Sequence, residues 1–432
     1  MANILLTYPK PEYIKGARFG FSLSLLYISS LLKEADHSID YKDYSVEIFN
    51  KNELSELLKE IDLVIVEFDS FPLKRSNNLN NANDLIKFIK KSNSLIKIIA
   101  FGKDLALFPR DIKGIDFTFK TEIENNIVEL VDELLKDNYI LENIDSELVD
   151  LDKLPMPDRG LLSTFAEHGG TINRKDNLAK STLIETSRGC LNTCAFCQRQ
   201  GWNSKFRTHS IEYILKEFNY IKDKGYINVW IKDDNFTFNL SRAKNILKSL
   251  IDNNSTQNMK IALSSWTKID YELLDLAKKA NVSLVSFGIE SANKEILDFY
   301  CKNIDLDHVQ KIITYADKIG IYTVGNFIIG APMETEYSIE QTFKYALDVP
   351  FDQVNIKTLD YMAGSKLYND LEKEITRAKR HIFACKENDL NQFPLKTLKK
   401  KISNFNNNFR KSRKEHFTKK VLKFGLPYEL LK

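Results

Sequence analysis

The sequence predicts an α/β protein with two α/β domains and a helical C-terminal extension. Three observations support this prediction. Strand-like and helix-like segments alternate over residues 1–138, a second and longer alternation begins at Ser181, and the residues after 370 are helical in pattern and rich in lysine. Alternating strands and helices are typical of parallel sheets with helices on their faces. We expect a doubly wound, Rossmann/flavodoxin-like sheet over 1–138, a linker over 139–180, a partial (β/α)6 TIM barrel over 181–370 and a basic helical extension over 371–432.

The first alternation contains four or five short apolar segments separated by amphipathic ones. They are "NILLTY", "SIDYKDY", "DLVIVEF", "IKIIAFG" and "IDFTFK". Ligands of such sheets bind beyond the carboxyl ends of the strands, so the loops after Tyr8, Phe68 and Ile99 are candidate binding loops. The alternative is a sheet that only supports the next domain.

The linker contains "LPMPDRGLL", in which Pro155 and Pro157 disfavour helix. Six strand-like segments follow from Ser181: "LIETS", "NVWIKDD", "KIALSSW", "SLVSFGIES", "TVGNFIIG" and "QVNIKTL". Six βα units suit an open or partial barrel better than a closed barrel of eight, and barrel chemistry lies on loops at the carboxyl ends of the strands. A loop with three cysteines directly follows the first of these strands.

Composition favours a cytoplasmic protein with reduced thiols. No apolar run reaches the roughly 18–20 residues of a membrane span, and the N-terminus lacks a signal-peptide pattern. Five unevenly spaced cysteines do not suggest disulfides. The net charge of +3 is too small to imply a nucleic-acid partner. The segment "KTLKKKISNFNNNFRKSRKEHFTKK" is predicted to be helix with a solvated face, with a surface for an anionic partner as the alternative.

The cysteine loop "SRGCLNTCAFCQRQGW" contains Cys190, Cys194 and Cys197. A structural zinc site would need a fourth ligand, from His209 or a distant cysteine, and there is no second cysteine pair. Unligated buried cysteines rarely have this spacing. A [4Fe–4S] cluster held by three thiolates leaves one iron open for another ligand, as catalytic metal sites do. We favour this third interpretation. Only two cysteines remain elsewhere, too few for a second cluster.

The pattern CxxxCxφC, with aromatic Phe196 before the third cysteine, resembles the signature of the radical S-adenosylmethionine superfamily. The resemblance implies that the open iron binds the amino and carboxylate groups of S-adenosylmethionine. Reduction of the cluster then splits the sulfonium, and the 5′-deoxyadenosyl radical abstracts hydrogen from a substrate. The protein positions and shields the radical.

Further segments resemble the cofactor-binding parts of this superfamily. In "IKDDNFT", Asp233, Asp234 and Asn235 occupy the place of the motif that receives the amino group, which a carboxylate suits. The resemblance assigns the ribose, carboxylate and adenine regions to four more residues: Glu290 and Ser291 in "SFGIES", and Ile328 and Gly330 in "GNFIIGAPMET". A helix cap at the two aspartates and a plain turn at Gly330 are the alternatives.

The third strand departs from the family pattern. Relatives often carry an arginine at its end, where this chain has Ser265 and Trp266. Ser265 is retained as a candidate cofactor contact, and Lys268 is a candidate replacement for the arginine. A lysine is a point charge rather than a planar fork, so the sequence leaves open how the cofactor carboxylate is neutralised.

The N-terminal sheet, the linker and the barrel together resemble members of the superfamily with an N-terminal cobalamin-binding domain. The motif that supplies an axial histidine is absent, since His37 follows the first helix. Of the glycines usual at the corrin edge, only Gly102 remains in "AFGKD", and "TEIE" (Thr121 to Glu124) replaces a glycine-rich turn. Glycine permits close backbone approach, so its loss favours a vestigial domain while leaving cobalamin open as a cofactor.

The leading hypothesis is an enzyme that cleaves S-adenosylmethionine reductively and modifies a biosynthetic substrate by rearrangement, cyclisation, dehydrogenation or cleavage. A cobalamin-dependent methyltransferase acting on an unactivated carbon is the first alternative. A non-enzymatic iron–sulfur protein for electron transfer or redox sensing is an alternative of another class. Expected partners are a small-molecule or peptide substrate and an electron donor such as flavodoxin or ferredoxin, with no membrane and no nucleic acid. The sequence names no catalytic residue beyond the cofactor ligands.

Overall fold

The computed structural model describes residues 1–10, 21–45, 47–68, 78–107, 112–119, 122–136, 148–162, 181–202, 205–372 and 379–424. The chain divides into two compact units, Met1–Leu183 and Ile184–Lys432. Much of the predicted linker, 139–147 and 163–180, lies outside the described residues.

The first unit is built on a five-stranded parallel sheet. Its strands are β1 (Asn3–Tyr8), β2 (Ser38–Asp43), β3 (Leu63–Glu67), β4 (Lys97–Phe101) and β5 (Phe117–Thr118). Its helices are α1 (Leu23–Glu34), α2 (Lys51–Leu57), α3 (Leu79–Ser92), α4 (Lys103–Leu107) and α5 (Ile127–Leu135). The strand order is β2-β1-β3-β4-β5, with every pair parallel.

Successive residues of β1 enter different hydrophobic cores. Ile4 and Leu6 pack with residues of α1 and α5, whereas Leu5 packs with residues of α3. Side chains alternate between the two faces of a strand, so helices cover both faces of this sheet. The predicted doubly wound fold is confirmed.

The second unit, together with the strand β6 at whose last residue it begins, contains a six-stranded parallel sheet. Its strands are β6 (Ser181–Ile184), β9 (Asn228–Ile231), β10 (Lys260–Ser265), β11 (Val282–Glu290), β12 (Tyr322–Ile329) and β13 (Gln353–Thr358). The order is β13-β12-β11-β10-β9-β6. Since β6 and β13 lie at opposite ends of this order, the described strands form an open barrel, as predicted.

The short strands β7 (Ser187–Arg188) and β8 (Arg207–Thr208) form an antiparallel pair, and so do β14 (Asp360–Met362) and β15 (His381–Phe383). The helices of this unit are α6 (Arg199–Trp202), α7 (Ile211–Asp223), α8 (Leu240–Asp252), α9 (Tyr271–Lys279), α10 (Lys294–Phe299), α11 (Leu306–Lys318), α12 (Glu336–Asp348), α13 (Lys366–Asn369) and α14 (Leu395–Phe424).

Five helices of the second unit begin at side-chain caps, formed by polar residues of types that favour this position. Ser210, Asn239, Asp270, Asp305 and Thr335 each accept a hydrogen bond from a backbone N–H in the first turn of α7, α8, α9, α11 and α12, respectively. Among the helices described, none has the length and apolar character needed to cross a membrane.

The C-terminal helix α14 combines an exposed basic side with a buried apolar side. Phe417 and Val421 pack against Tyr322 and Val324, near the amino end of β12. The Nζ of Lys420 is buried there and donates to the carbonyl of Ile321 at 2.8 Å. The predicted helical extension contains α14 but also the strand β15, and the buried side of α14 packs against the amino end of β12.

Candidate active site

The three cysteines lie on a loop that follows β6 and is bounded by the β7–β8 pair. Cys194 is buried, and Cys190 and Cys197 are half-buried. The backbone N–H of Cys197 donates to the carbonyl of Cys194 at 3.0 Å, and Asn192 Nδ2 donates to Cys190 Sγ at 3.3 Å. These bonds turn the loop back on itself between the first and third thiols.

Segments from elsewhere in the second unit anchor the middle of this loop. The N–H of Ala195 donates to the carbonyl of Tyr300 at 3.1 Å, and the carbonyl of Ala195 accepts from the N–H of Leu367 at 3.0 Å. The ring of Phe196 meets the ring of Tyr300 edge-on, with centroids 5.3 Å apart. Phe196, predicted as a cofactor contact, therefore lies in the packing that holds the loop against the barrel.

The arrangement of the thiols bears on the choice between a single ion and a cluster. Among the described residues, the only set of three or more Cys, His, Asp and Glu ligand atoms within 4.8 Å of one another is Asp317, Asp352 and His416. Ligands of one zinc ion lie about 4 Å apart, since Zn–S bonds are about 2.3 Å. The three thiols are not such a set, so they do not all converge at the spacing that one ion requires. Three thiols on one loop are the ligand type of a [4Fe–4S] group, and the residues present fit it.

Burial controls the charge of these thiols. It raises the pKa of Cys194 to about 12, with the ammonium of Lys302 acting in the opposite direction, and it also raises the pKa of Cys190. A thiol of this kind stays protonated until a metal displaces its proton. The loop is therefore suited to metal-bound thiolates and poorly suited to a nucleophilic cysteine.

Asp233, at the carboxyl end of β9, is occupied by four donors. It accepts from the backbone N–H of Thr186 (2.6 Å) and Ser187 (3.1 Å) and from both of their hydroxyl groups (2.5 and 2.6 Å). Burial raises its pKa to about 6 despite these donors. Asp233 thus braces the backbone that leads into the cysteine loop.

The two residues after Asp233 have different surroundings. The carboxylate of Asp234 forms an ion pair with Arg199, two residues beyond Cys197. Asn235 Oδ1 accepts from the N–H of Trp266 at 3.2 Å and from the hydroxyl of Thr237.

Ser265 belongs to the same network. Its hydroxyl lies 2.8 Å from Thr237 Oγ1 and donates to the carbonyl of Trp266 at 2.6 Å. Ser265 and Asn235 therefore fix the turn that follows β10.

A buried lysine lies beside the end of β11. Lys302 Nζ donates to Glu290 Oε1 at 3.2 Å and to the carbonyl of Gly288 at 3.0 Å, and it lies 4.4 Å from the ring centroid of Trp266. The exposed fraction of the side chain is 5% for Lys302 and 10% for Glu290. Sequence reasoning missed Lys302 and considered Lys268, which is exposed.

The conformation of Glu290 explains how this pair forms. Glu290 has a φ of +70°, and the β11–β12 register shifts between Gly288 and Glu290. A bulge of this kind redirects a side chain at the end of a strand. The neighbouring Ser291 is buried, and its hydroxyl accepts from the N–H of Asn293 at 3.1 Å and lies 3.2 Å from that of Thr342.

The end of β12 is shaped by Gly330 and Glu334. Gly330 has a φ of +104°, and a Cβ there would lie 3.2 Å from the carbonyl of Ala384. Its N–H and that of Ala331 donate to Glu334 Oε2. Burial raises the pKa of Glu334 to about 7, with the two backbone donors acting in the opposite direction. Ile328 is half-buried two residues earlier, and Glu334 is a second residue that sequence reasoning missed.

The comparisons with known proteins agree with this site. Residues 184–346 match the sequence profile of the Radical SAM superfamily. The chain is 26% identical to the "Uncharacterized methyltransferase PH0819" of Pyrococcus horikoshii over 82% of this chain and 80% of that one. It is 27% identical to the cytidylyl-2-hydroxyethylphosphonate methyltransferase of Streptomyces wedmorensis over 43% of this chain and 36% of that protein.

Two solved structures share the fold across both units. The radical S-adenosylmethionine methyltransferase TsrM from Kitasatospora setae, with cobalamin and a [4Fe–4S] cluster bound, matches with a TM-score of 0.70, covering 88% of this chain and 79% of that one at 13% identity. The cobalamin-dependent radical enzyme OxsB, with aqua-cobalamin and S-adenosylmethionine bound, matches with a TM-score of 0.68, covering 85% and 60% at 15% identity.

Residues 184–346 therefore have the sequence pattern of a Radical SAM domain, as the cysteine loop predicted. The matches to TsrM and OxsB cover 88% and 85% of this chain, so the fold shared with them extends beyond this domain. The predicted use of a [4Fe–4S] cluster and S-adenosylmethionine is confirmed at the level of the superfamily, and the alternative of a non-enzymatic iron–sulfur protein is not supported.

Proposed function

We propose that this enzyme abstracts a hydrogen atom from a biosynthetic substrate held on the inner face of the barrel sheet. Cys190, Cys194 and Cys197 would hold the cluster, whose reduced form supplies the electron that splits S-adenosylmethionine into methionine and a 5′-deoxyadenosyl radical. The observation that carries the proposal is the loop with three thiols at the carboxyl end of the first barrel strand.

Asp234 and Lys302 are the residues best placed to receive the two charged ends of the amino-acid part of the cofactor. Asp233 is occupied by four donors, which leaves Asp234 as the carboxylate for the ammonium. Lys302 uses two of its three donors on Glu290 and Gly288, so one N–H can donate to the cofactor carboxylate. The proposal thus replaces the arginine that relatives carry with a buried lysine.

Residues at the carboxyl ends of β11 and β12 would contact the adenine and ribose of the cofactor. Phe327 packs against Tyr345 of α12, so the adjacent Ile328 lies on the opposite, inner face of β12. Gly330 follows at the end of this strand with a backbone conformation that favours glycine. Glu334 holds the backbone N–H groups of this turn in place. Glu290 would meet the ribose region at the carboxyl end of β11.

Anaerobic reconstitution tests the proposal directly. The protein would be loaded with iron and sulfide, and 5′-deoxyadenosine would be measured after addition of S-adenosylmethionine and dithionite. Wild type should form it, and Cys194→Ser should lose both the cluster iron and the product. The exposed Cys301 provides the matched control, because Cys301→Ser should retain both. Wild-type protein that binds the cluster but forms no 5′-deoxyadenosine would disprove the proposal.

Cobalamin-dependent methyl transfer to carbon is the second candidate. It is favoured by the sheet order β2-β1-β3-β4-β5, which is the flavodoxin-like order, and by the methyltransferases among the relatives. Two observations oppose it. A Cβ at Gly102 would lie 2.0 Å from the carbonyl oxygen of Phe68, so packing within the unit already requires this glycine. Ile123, in place of a glycine-rich turn, is buried in the core beside Phe119.

Added hydroxocobalamin separates the two candidates. Corrin absorption that persists after desalting, together with a methylated product, would establish the methyltransferase. Absence of corrin bands would exclude the methyltransferase and favour the first candidate, hydrogen abstraction without cobalamin. We further propose that the enzyme is cytoplasmic and that a flavodoxin or ferredoxin is its electron donor. Replacing dithionite by either reduced protein tests the donor.

A further inference from the structure

The C-terminal helix α14 (Leu395–Phe424) concentrates positive charge. It contains eleven Lys and Arg residues and a single acid, Glu415, whereas the rest of the chain has 51 Lys and Arg and 58 Asp and Glu. The helix therefore has a formal charge of +10 and the remainder one of −7, which together give the +3 of the whole chain. A charge asymmetry of this kind is typical of chains that bind an anionic partner.

Some of these cations are used inside the protein. Lys420 pairs with the buried Asp352, and Arg413 donates to two backbone carbonyl groups. Lys401 and Lys419 each form an ion pair with a glutamate. These four side chains hold α14 on the barrel or balance a nearby acid, so they are not available to a partner.

Six exposed side chains follow one side of the helix, and we refer to them as the basic stripe. They recur every three or four residues, the spacing that places side chains on one side of a helix: Lys396, Lys400, Ser403, Asn407, Arg410 and Lys414. None of the four cations forms an ion pair with a residue that the structure describes. A rise of 1.5 Å per residue gives about 27 Å from Lys396 to Lys414 and about 15 Å between Lys400 and Arg410.

The basic stripe differs from other exposed parts of the chain, where lysines are balanced by acids. Three exposed lysines each pair with an aspartate four residues later: Lys294, Lys344 and Lys366. In the stripe, the two lysines at one end and the Arg–Lys pair at the other are also four residues apart, so like charges occupy this spacing. Like charges at this spacing destabilise a helix. A merely solvated side does not need this arrangement, whereas an anionic partner would relieve the repulsion.

The composition of this exposed side indicates the class of partner. The large apolar residues Phe405 and Phe409 are buried beneath the stripe, and a helix that binds a membrane surface needs an exposed apolar side. The exposed residues beside the stripe, such as Lys399, Asn404 and Lys411, are polar as well. Interfaces between proteins usually have an apolar or aromatic centre, whereas interfaces with nucleic acids are more polar and much more positively charged. The stripe has the second composition.

The order of residues along the stripe fits double-stranded RNA. The minor groove of an A-form helix is wide and shallow and presents 2′-hydroxyl groups between two phosphate backbones. The cations at either end of the stripe can each contact one backbone, with Ser403 and Asn407 over the groove between them. A hydroxyl and an amide both donate and accept hydrogen bonds, as a 2′-hydroxyl does.

We propose that the basic stripe of α14 binds folded RNA, lying across the minor groove of a double-stranded segment. This inference goes beyond the proposed function and does not depend on it, because the stripe contains none of the residues assigned to the cluster or to S-adenosylmethionine. It replaces the expectation of no nucleic-acid partner, which relied on the net charge of the whole chain.

Salt-dependent binding of an RNA hairpin tests the inference. The probe is a labelled hairpin with a stem of about 16 base pairs, the length that double-stranded RNA-binding domains span. Fluorescence anisotropy would give its Kd for the full-length protein at several salt concentrations. Four phosphate contacts predict that the logarithm of the association constant falls with the logarithm of salt concentration with a slope of about −3 to −4. A slope near zero, or no binding by folded protein at physiological ionic strength, would overturn the inference.

Two double variants of equal net charge locate the bound RNA. Lys400→Gln with Arg410→Gln should weaken binding at least about tenfold and make the salt slope shallower by about two, one for each lost contact. Lys294→Gln with Lys344→Gln removes the same charge from two exposed, paired lysines and should change Kd by less than about twofold, since distant charges are screened. The stripe variant should keep or raise the thermal midpoint, because it relieves repulsion between like charges. If both double variants weaken binding equally, the stripe is not the site.

Unlabelled competitors distinguish RNA from other anionic partners. A DNA duplex of the same sequence should displace the hairpin at least about threefold less effectively than unlabelled RNA, because it lacks the 2′-hydroxyl groups. An acidic flavodoxin, and vesicles of phosphatidylcholine with phosphatidylserine, should be weaker competitors than the DNA. A competitor that equals or exceeds unlabelled RNA would overturn the assignment to RNA.

Discussion

Replacement of Lys302 by methionine tests the assignment of the cofactor carboxylate. The substitution keeps the length and apolar body of the side chain and removes its charge. Lys302 is buried, and two of its donors are bonded to Glu290 and Gly288. Two separable effects follow, one on cofactor affinity and one on folding.

The effect on affinity follows from loss of one hydrogen bond between charged groups. Such bonds contribute about 1.5–3 kcal/mol, and about 1.4 kcal/mol corresponds to a factor of ten in Kd. Lys302→Met should therefore weaken S-adenosylmethionine binding about 10- to 150-fold, measured anaerobically by titration calorimetry on reconstituted enzyme. Lys302→Arg, which retains the charge, should recover part of this loss.

The effect on folding comes from Glu290, which would be left buried without its cation. Breaking one partner of a buried pair costs about 3–5 kcal/mol, so the thermal midpoint of Lys302→Met should fall. Adding Glu290→Gln removes the second charge and should restore most of the midpoint, while S-adenosylmethionine affinity stays low. The thermal midpoint of this double variant isolates the folding role of the lysine.

The exposed Lys268 provides the matched control, because Lys268→Met removes the same charge from a neighbouring loop. Its Kd and thermal midpoint should equal those of wild type. If Lys268→Met weakens cofactor binding as much as Lys302→Met, or if the double variant regains full affinity, Lys302 does not bind the carboxylate.

Three further predictions concern the same unit. Lys420→Met removes the ammonium paired with the buried Asp352 and should lower stability by about 3–5 kcal/mol, whereas the exposed Lys419→Met should change it by less than about 0.5 kcal/mol; denaturant titration checks both. Burial raises the pKa of Glu334 from 4.5 to about 7, so the folded state keeps a proton that the unfolded chain loses, and the free energy of unfolding should fall as pH rises through this range. Glu334→Gln, whose amide oxygen can accept the same backbone bonds, should flatten that slope, and an unchanged slope would contradict the assignment. Arg199→Gln frees Asp234 for the cofactor ammonium and should tighten S-adenosylmethionine binding up to about fivefold, since partly exposed ion pairs contribute about 0.2–1 kcal/mol; weaker binding would contradict this.

The cluster site could be predicted from sequence because its ligands are close together in the chain. Three cysteines within eight residues must lie on one short loop, so their spacing in the sequence alone identifies a ligand set. They follow a strand whose pattern is visible in the sequence. The same holds for both sheets, since their apolar strands alternate with capped amphipathic helices. In each case the physical signal is local, and no long-range contact is needed to detect it.

The charged contacts of the cofactor region could not be predicted in the same way. Lys302 follows Glu290 by 12 residues and returns to it only because α10 reverses the chain beyond β11. Lys268 is adjacent to the third strand in sequence but its side chain is exposed. Asp233 and Asp234 are adjacent acids, and only their hydrogen-bond partners, on other strands and loops, show that the first is a brace and the second an ion-pair partner.

The same network that positions the cofactor also limits how the cluster loop can move. Asp233 bonds the residues that precede Cys190, the carbonyl of Tyr300 holds Ala195, and Lys302 follows Tyr300 after one residue. The loop and the buried lysine are thus attached to one segment at the end of α10. A substitution that displaces this segment would disturb the thiols and the carboxylate site together. Loss of cluster iron and loss of S-adenosylmethionine affinity should therefore occur together in Tyr300→Ala, but separately in Lys302→Arg, where the packing around Phe196 is retained.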